Sequence, residues 1–250
     1  MDLKTIQAVE ISGGIGILTL NRPDRRNAIS IEMRLEILEC MRKWKESQTV
    51  GVMIITGSGD AFSAGFDLTE FNHPARFSEI FETSSRYHRD LWNFPKPTIA
   101  AVNGAALAGG FDLAKLCDIR ICSPKAVFGH PEIKFGIPPL VTPLRWIIGE
   151  GLARHLCLTG RRVEAVEACR IGLVSEVVDG EKLLERAVKS ATEIMETPLE
   201  ALRLTKQLMI GCSGLGFEES FCQEHDRVFQ EFLLKRASES MKSKREEVRV

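Results

Sequence analysis

Two hydrophobic rhythms alternate along the first half of the chain. Short apolar runs fill Ala8 to Ile11, Ile15 to Leu20, Val50 to Thr56 and Thr98 to Val102, each bounded by glycine or polar residues, as buried strands are. Ser12-Gly13-Gly14 separates the first two runs and predicts a hairpin turn; it lacks the third glycine and the following helix that a phosphate loop needs. Between the later runs the apolar positions recur at helical spacing. Ser30 can cap a helix carrying Ile31, Met33, Leu35, Ile37, Leu38, Met41 and Trp44, with Glu32 and Glu36 near its positive end. A second helix is predicted from Arg76 to about Asn93, stopped by Pro95 and Pro97. With a further strand at Asp118 to Cys122, this alternation predicts an α/β fold with mostly parallel pairing.

Beyond Pro139 the rhythm becomes helical, over Leu144 to Ile148, Ala153 to Leu158, Val163 to Ala168, Glu181 to Glu196 and Gly216 to Leu234, with only Val174 to Val178 strand-like. No Gly/Ser linker intervenes, so residues 1–195 read as one core and 196–250 as a helical region dependent on it. The tail from Lys242 to Arg249 alternates charges and reads as a frayed end.

Thirty-three basic and 34 acidic residues leave a net charge of -1, so no global field favours nucleic acid or an anionic membrane. Any anionic ligand must be held locally. The seven cysteines are scattered without a C-x-x-C pair, which argues against a disulfide framework and against a metal site. Met1-Asp2-Leu3-Lys4 lacks a basic region followed by an apolar run, and no stretch approaches the roughly 18 to 20 apolar residues that would span a bilayer. The expected setting is cytoplasmic, or an organellar matrix if a transit peptide has been removed.

The candidate chemistry lies in two glycine-bearing turns that leave buried strands. Phe62-Ser63-Ala64-Gly65-Phe66-Asp67-Leu68 follows the strand at 50 to 56, and small residues there let backbone approach a ligand. Ala105 to Asp112, with Gly109-Gly110, follows the next strand and opens a helix, a positive end suited to an oxyanion. Two such turns face to face make an oxyanion hole; either alone reads equally well as a tight turn. Asp112 and Glu132 are carboxylates in apolar surroundings, fit to move protons or simply to favour the helix starts they occupy. His130 reads as a supporting residue, Asp118 as a backbone acceptor, and neither Ser63 nor Cys117 has the partners of a nucleophilic triad.

Taken in order, Asn21-Arg22-Pro23 with Asn27-Ala28, Phe62 to Leu68, Ala101-Val102-Asn103-Gly104 through Gly110, Cys117-Asp118-Ile119-Arg120, Phe128-Gly129-His130-Pro131-Glu132 and Leu158-Thr159-Gly160 resemble the crotonase (enoyl-CoA hydratase/isomerase) superfamily. The resemblance covers about residues 7 to 180. It implies a spiral of repeated ββα units with a helical C-terminal trimerisation region, a homotrimer or homohexamer, and an acyl-CoA thioester substrate. No separate cofactor is implied, since coenzyme A belongs to the substrate, nor any nucleic acid or membrane partner. The backbone N–H groups of Phe66 and Gly109 match the family's oxyanion hole, and Arg26, Ala28, Ala64, Asp67 and Leu68 match its coenzyme A contacts. Asp112 and Glu132 match two glutamates that handle the water and the second proton in the hydratases. Asp112 is one methylene shorter, which pulls its carboxylate back by roughly 1.5 Å, and Gly136-Ile137-Pro138-Pro139-Leu140-Val141 departs from the glycine-rich stretch of many hydratases. The resemblance implies an enoyl-CoA hydratase acting through a thioester enolate. Double-bond isomerisation is the alternative, and a non-catalytic or RNA-binding relative is the reading from a different class.

Overall fold

The computed structural model describes residues 3–234, without the side chain of Phe232; the charged tail at 242–249 lies outside the described residues. The chain opens on the antiparallel hairpin of β1 (Ile6–Ile11) and β2 (Ile15–Leu20), turned by Gly13 and Gly14 at φ 83° and 77°. Those angles favour glycine. Helix α1 (Ile31–Glu46) starts at Ser30, whose hydroxyl accepts from the N–H of Met33. It buries Met33, Ile37, Leu38, Met41 and Trp44, whereas Leu35, also expected on the apolar stripe, is 46% exposed. At its other end the buried Lys96 ammonium donates to the carbonyls of Trp44, Ser47 and Val50, a cation set against the negative helix terminus.

Three further passages repeat the plan of two strands and a helix. They are β3 (Val52–Gly57), β4 (Ala61–Ser63) and α2 (Phe77–Trp92); then β5 (Thr98–Val102), β6 (Ala105–Leu107) and α3 (Gly109–Leu116); then β7 (Ile119–Cys122), β8 (Val127–Gly129) and α4 (Thr142–Ile148). Helix α5 (Glu150–Thr159), strand β9 (Val163–Glu164), helix α6 (Ala165–Arg170), strand β10 (Glu176–Val177) and helix α7 (Leu183–Met195) follow. Each of these three passages sends its first strand to one sheet and its second to another. Among the described residues the first sheet therefore runs β1-β2-β3-β5-β7-β10, parallel apart from the opening hairpin, and the second runs β4-β6-β8-β9. This is the ββα spiral. Leu18, Ile55, Phe62, Tyr87, Phe111 and Phe128 belong to the main core, while α7 closes the opposite face of the first sheet with Leu183, Ala187 and Ala191 against Ile17, Ile54 and Ile99.

Several elements depart from expectation, among them β4, β6 and β8, short strands where turns or no element were expected. Val163–Glu164, expected to begin a helix, pairs antiparallel with β8 instead, so the helix starts only at Ala165. Helix α8 (Leu199–Gly211) has no clear periodic signal in the sequence, because its apolar residues are distributed around the whole circumference.

The chain forms two compact units, which meet in sequence between Leu202 and Arg203. In the second, α9 (Phe217–Phe221) continues in wider turns through Cys222–Arg227 and Phe229–Leu233. No helix among the described residues is long and apolar enough to cross a membrane.

Candidate active site

The first of the two glycine turns is shaped by a buried asparagine. Asn27 donates from its amide to the carbonyls of Ser58 and Ala61, and its own carbonyl accepts from Ser63 Oγ at 2.8 Å. Arg26 and Asn27 both take left-handed backbone angles, φ 49° and 54°, which bring the loop beside β4 so that Ala64 N–H donates to Arg26 O at 2.9 Å. Ile29 then bridges Phe66 in parallel register: Ile29 N–H donates to Gly65 O, and Asp67 N–H to Ile29 O. Alternation in such a bridge turns the N–H of Phe66 itself away from Ile29. It donates to no acceptor among the described residues.

The second turn is held by strain and by one bond. Ala108 sits at φ 49°, ψ -124°, a conformation costing an ordinary residue about 1–3 kcal/mol. Its N–H donates to Gly129 O at 2.9 Å, and α3 begins at the next residue, with the N–H of Gly109 in the unsatisfied first turn. The two turns abut. A Cβ placed on Gly65 would lie 3.1 Å from Gly109 N, and one placed on Gly109 would lie 3.5 Å from Phe66 N. Two neighbouring, uncommitted N–H groups, one at a helix N-terminus, form the geometry that stabilises a developing oxyanion.

Buried charges brace this edge. The guanidinium of Arg34 lies 4.9 Å from the centroid of the Phe66 ring and pairs with Glu70 at 3.3 Å, while Glu70 Oε1 accepts the N–H of Ile31 at 2.7 Å. Burial pulls the Arg34 pKa down, with Glu70 opposing it. Asp67 accepts from Arg22 at 2.9 Å and from Thr69 Oγ1 at 2.7 Å, so its carboxylate is committed to holding the loop.

The carboxylates Asp112, in the first turn of α3, and Glu132, in the short 3-10 turn Pro131–Phe135 after β8, are joined through two fully buried side chains. Asp112 Oδ1 lies 2.7 Å from the Nζ of Lys115, an ion pair whose angles fall outside hydrogen-bond range. Lys115 Nζ is 2.9 Å from His130 Nε2 and donates to the carbonyl of Leu140, and His130 Nδ1 is 2.7 Å from Glu132 Oε1. His88 Nε2 stands 3.9 Å from Asp112 Oδ2. Asp112 Oδ1 and Glu132 Oε2 are both buried and receive no hydrogen bond within the described residues. A buried acceptor without a donor costs about 1–3 kcal/mol, and such atoms gather where chemistry needs them.

Arg26, Ala28, Ala64, Phe66 and Asp67 are thus drawn to one edge by the loop bonds, whereas the Leu68 side chain is 72% exposed. Asp118 accepts from Thr98 N–H and Oγ1, the backbone-tying part read for it from the sequence. Lys115 and His88 carry no motif. The only local sign is that Lys115, three residues after Asp112, must share its helix face. A cavity of about 830 Å³ borders this edge at Arg22 and Asp67 and is rimmed by Glu32, Glu36, Glu39, Glu70 and Glu79, which suits it poorly to an anionic ligand.

The profile of the enoyl-CoA hydratase/isomerase family matches residues 10–247. The chain belongs to that family. It is 33% identical to a short-chain-enoyl-CoA hydratase of Clostridium acetobutylicum, over 98% of this chain and the whole of that one. It is 34% identical to a hydroxycinnamoyl-CoA hydratase-lyase of Pseudomonas fluorescens, over 87% of this chain and 82% of that one. The crystal structure of an enoyl-CoA hydratase from Bacillus anthracis superposes with a TM-score of 0.88 at 29% identity, covering 98% of this chain and 97% of that one. The fold is that of the crotonases, and the chain is an acyl-CoA enzyme of the hydratase/isomerase type.

Proposed function

We propose that the enzyme adds water across the double bond of a 2-enoyl-CoA thioester. The observation that carries this reading is the pair of buried carboxylate oxygens without donors, Asp112 Oδ1 and Glu132 Oε2, in one connected cluster. A water molecule has two protons to donate, and each of these carboxylates offers an oxygen free of hydrogen bonds to accept one. Glu132 Oε2 takes a proton from the water, the resulting hydroxide bonds to C3, and the π electrons of the C2–C3 bond move through C2 onto the thioester oxygen. Phe66 and Gly109 N–H stabilise that enolate. Its collapse returns the electron pair to C2, which takes a proton from the Glu132 carboxylic acid, so that one water is consumed and the carboxylate is restored. Coenzyme A enters as part of the substrate, along the edge formed by Arg26, Ala28, Ala64, Asp67 and Leu68. The active assembly is a homotrimer or a homohexamer.

Double-bond migration is the second reading, favoured by the ion pair that ties Asp112 to Lys115 and leaves Glu132 as the freer base. A panel of saturated, 2-enoyl and 3-enoyl thioesters separates the two, with water addition and bond migration followed in parallel. Hydration of the 2-enoyl substrate is expected to dominate, and Glu132→Gln to lower turnover at least about 100-fold with thioester binding retained. Near-normal turnover in that variant would remove Glu132 from the mechanism, and migration without hydration would overturn the first reading.

A further inference from the structure

We propose that Lys115 is a positioning residue for this reaction: its ammonium holds His130 in the tautomer that pins one oxygen of Glu132 and leaves the other for proton transfer. The inference rests on Glu132 being the acid/base.

It follows from counting donors and acceptors. An ammonium group has three protons and no lone pair. Leu140 O receives one of them, and at 2.9 Å from His130 Nε2 the ammonium can only donate, while Asp112 Oδ1 balances its charge without a hydrogen bond. That nitrogen then carries the lone pair, so the ring proton is on Nδ1, where it donates to Glu132 Oε1 at 2.7 Å. The imidazole has little freedom to turn. It is 1% exposed and packs at 4.8 Å from the Phe111 ring, over which the Lys115 ammonium also lies. With Oε1 held, Oε2 is the oxygen of Glu132 that remains without a partner.

Without the ammonium, His130 loses the group that selects its tautomer. An imidazole protonated on Nε2 presents a lone pair to Oε1 of an ionised Glu132, and repulsion then displaces the carboxylate by rotation about its side chain. Displacement of a reacting group by about 1 Å costs on the order of 100-fold in rate while binding contacts elsewhere persist. Lysine at this position therefore affects turnover more than substrate affinity.

The test begins on the unaltered protein, so it does not depend on activity. Imidazole ¹⁵N spectra at neutral pH, with His130 assigned by the signal lost in His130→Gln, are expected to show a protonated Nδ1 and an unprotonated Nε2. A proton on Nε2, alone or together with Nδ1, would overturn the proposal even if Glu132 were confirmed as the acid/base. Lys115→Met, close in volume and uncharged, is then expected to lose the exclusive Nδ1–H signature and to lower kcat about 10- to 100-fold with KM changed less than about threefold. Unchanged kcat, or an unchanged His130 spectrum, would also overturn it. Because Lys115→Met leaves Asp112 as an uncompensated buried charge, the spectrum is read as well in Lys115→Met combined with Asp112→Asn, which removes that charge. Loss of Glu132→Gln activity with an unaltered Lys115→Met enzyme would leave the hydratase reading standing and this one refuted.

Discussion

Asp67 stands in the loop that supplies the Phe66 N–H, and its carboxylate bonds Arg22 and both the N–H and the hydroxyl of Thr69. Burial alone would raise its pKa, but the bonds from Thr69 and Arg22 outweigh it and hold the group below the usual carboxylate range. A carboxyl whose folded pKa is depressed contributes stability that is complete above the unfolded value of about 4 and is lost as pH falls through the folded value. Asp67→Asn is accordingly expected to lower stability by about 1 kcal/mol at pH 7, with the deficit shrinking in progressively acidic buffers. Urea titrations across that range check it, and a deficit independent of pH would show that the charge is not the stabilising feature. The same scale separates Asp112 from Asp118: both are short acids near the start of an element, yet one has a bare oxygen beside Lys115 and the other accepts from both the N–H and the hydroxyl of Thr98.

At the scale of elements, the site depends on how closely α3 approaches β4. A Cβ on Gly110 would fall 2.2 Å from the carbonyl oxygen of Ser63, a backbone atom that cannot rotate away. Gly110→Ala must therefore push α3 outward, at a cost of about 1–3 kcal/mol for overpacking. The N–H of Gly109 moves with it, so the variant is expected to lose turnover at least about tenfold as well as stability. Thermal melts and steady-state kinetics on the same preparation test this, and full activity in a destabilised Gly110→Ala protein would uncouple the helix position from the oxyanion site. A Cβ on Gly109, one residue earlier, would meet the Phe66 ring at 3.1 Å and the Phe66 N at 3.5 Å without so close a clash, so the two adjacent glycines serve different ends.

At the scale of the whole molecule, apolar side chains remain in contact with solvent. Phe77 and Phe81 on α2 are 49% and 71% exposed, Phe135 in the turn that carries Glu132 is 83% exposed, and Phe217, Phe221 and Phe229 of the C-terminal unit are exposed as well. Phe217 and Phe221 stand 5.6 Å apart in ring contact, and His225 stacks between Phe221 and Phe229. An exposed row of rings of this kind calls for a partner. Sedimentation at micromolar concentration is expected to give a trimer or a hexamer, and charged residues in place of Phe221 and Phe229 to lower the assembly state and weaken thioester binding. A well-folded monomer would exclude subunit contact as the reason for these exposed rings.

The sequence by itself determined the strands of the first sheet and most of the helices, because periods of two and 3.6 follow from backbone geometry and from the need to bury one face. It also marked the two turns at Gly65 and Gly109-Gly110 and the acids Asp112 and Glu132, where residue type answers a local demand for close approach or charge. What it could not specify was which distant side chains meet. Lys115 reaches His130 across 15 positions and Arg34 reaches Glu70 across 36, and each pairing exists only once the spiral has stacked one ββα unit on the next. The strand at Val163–Glu164 has the same origin, since pairing with Val127 and Phe128 satisfies backbone groups that a local helix would have satisfied otherwise. Local pattern sets the elements, but a buried charge can be placed only by its partner, and that partner is supplied by the tertiary structure.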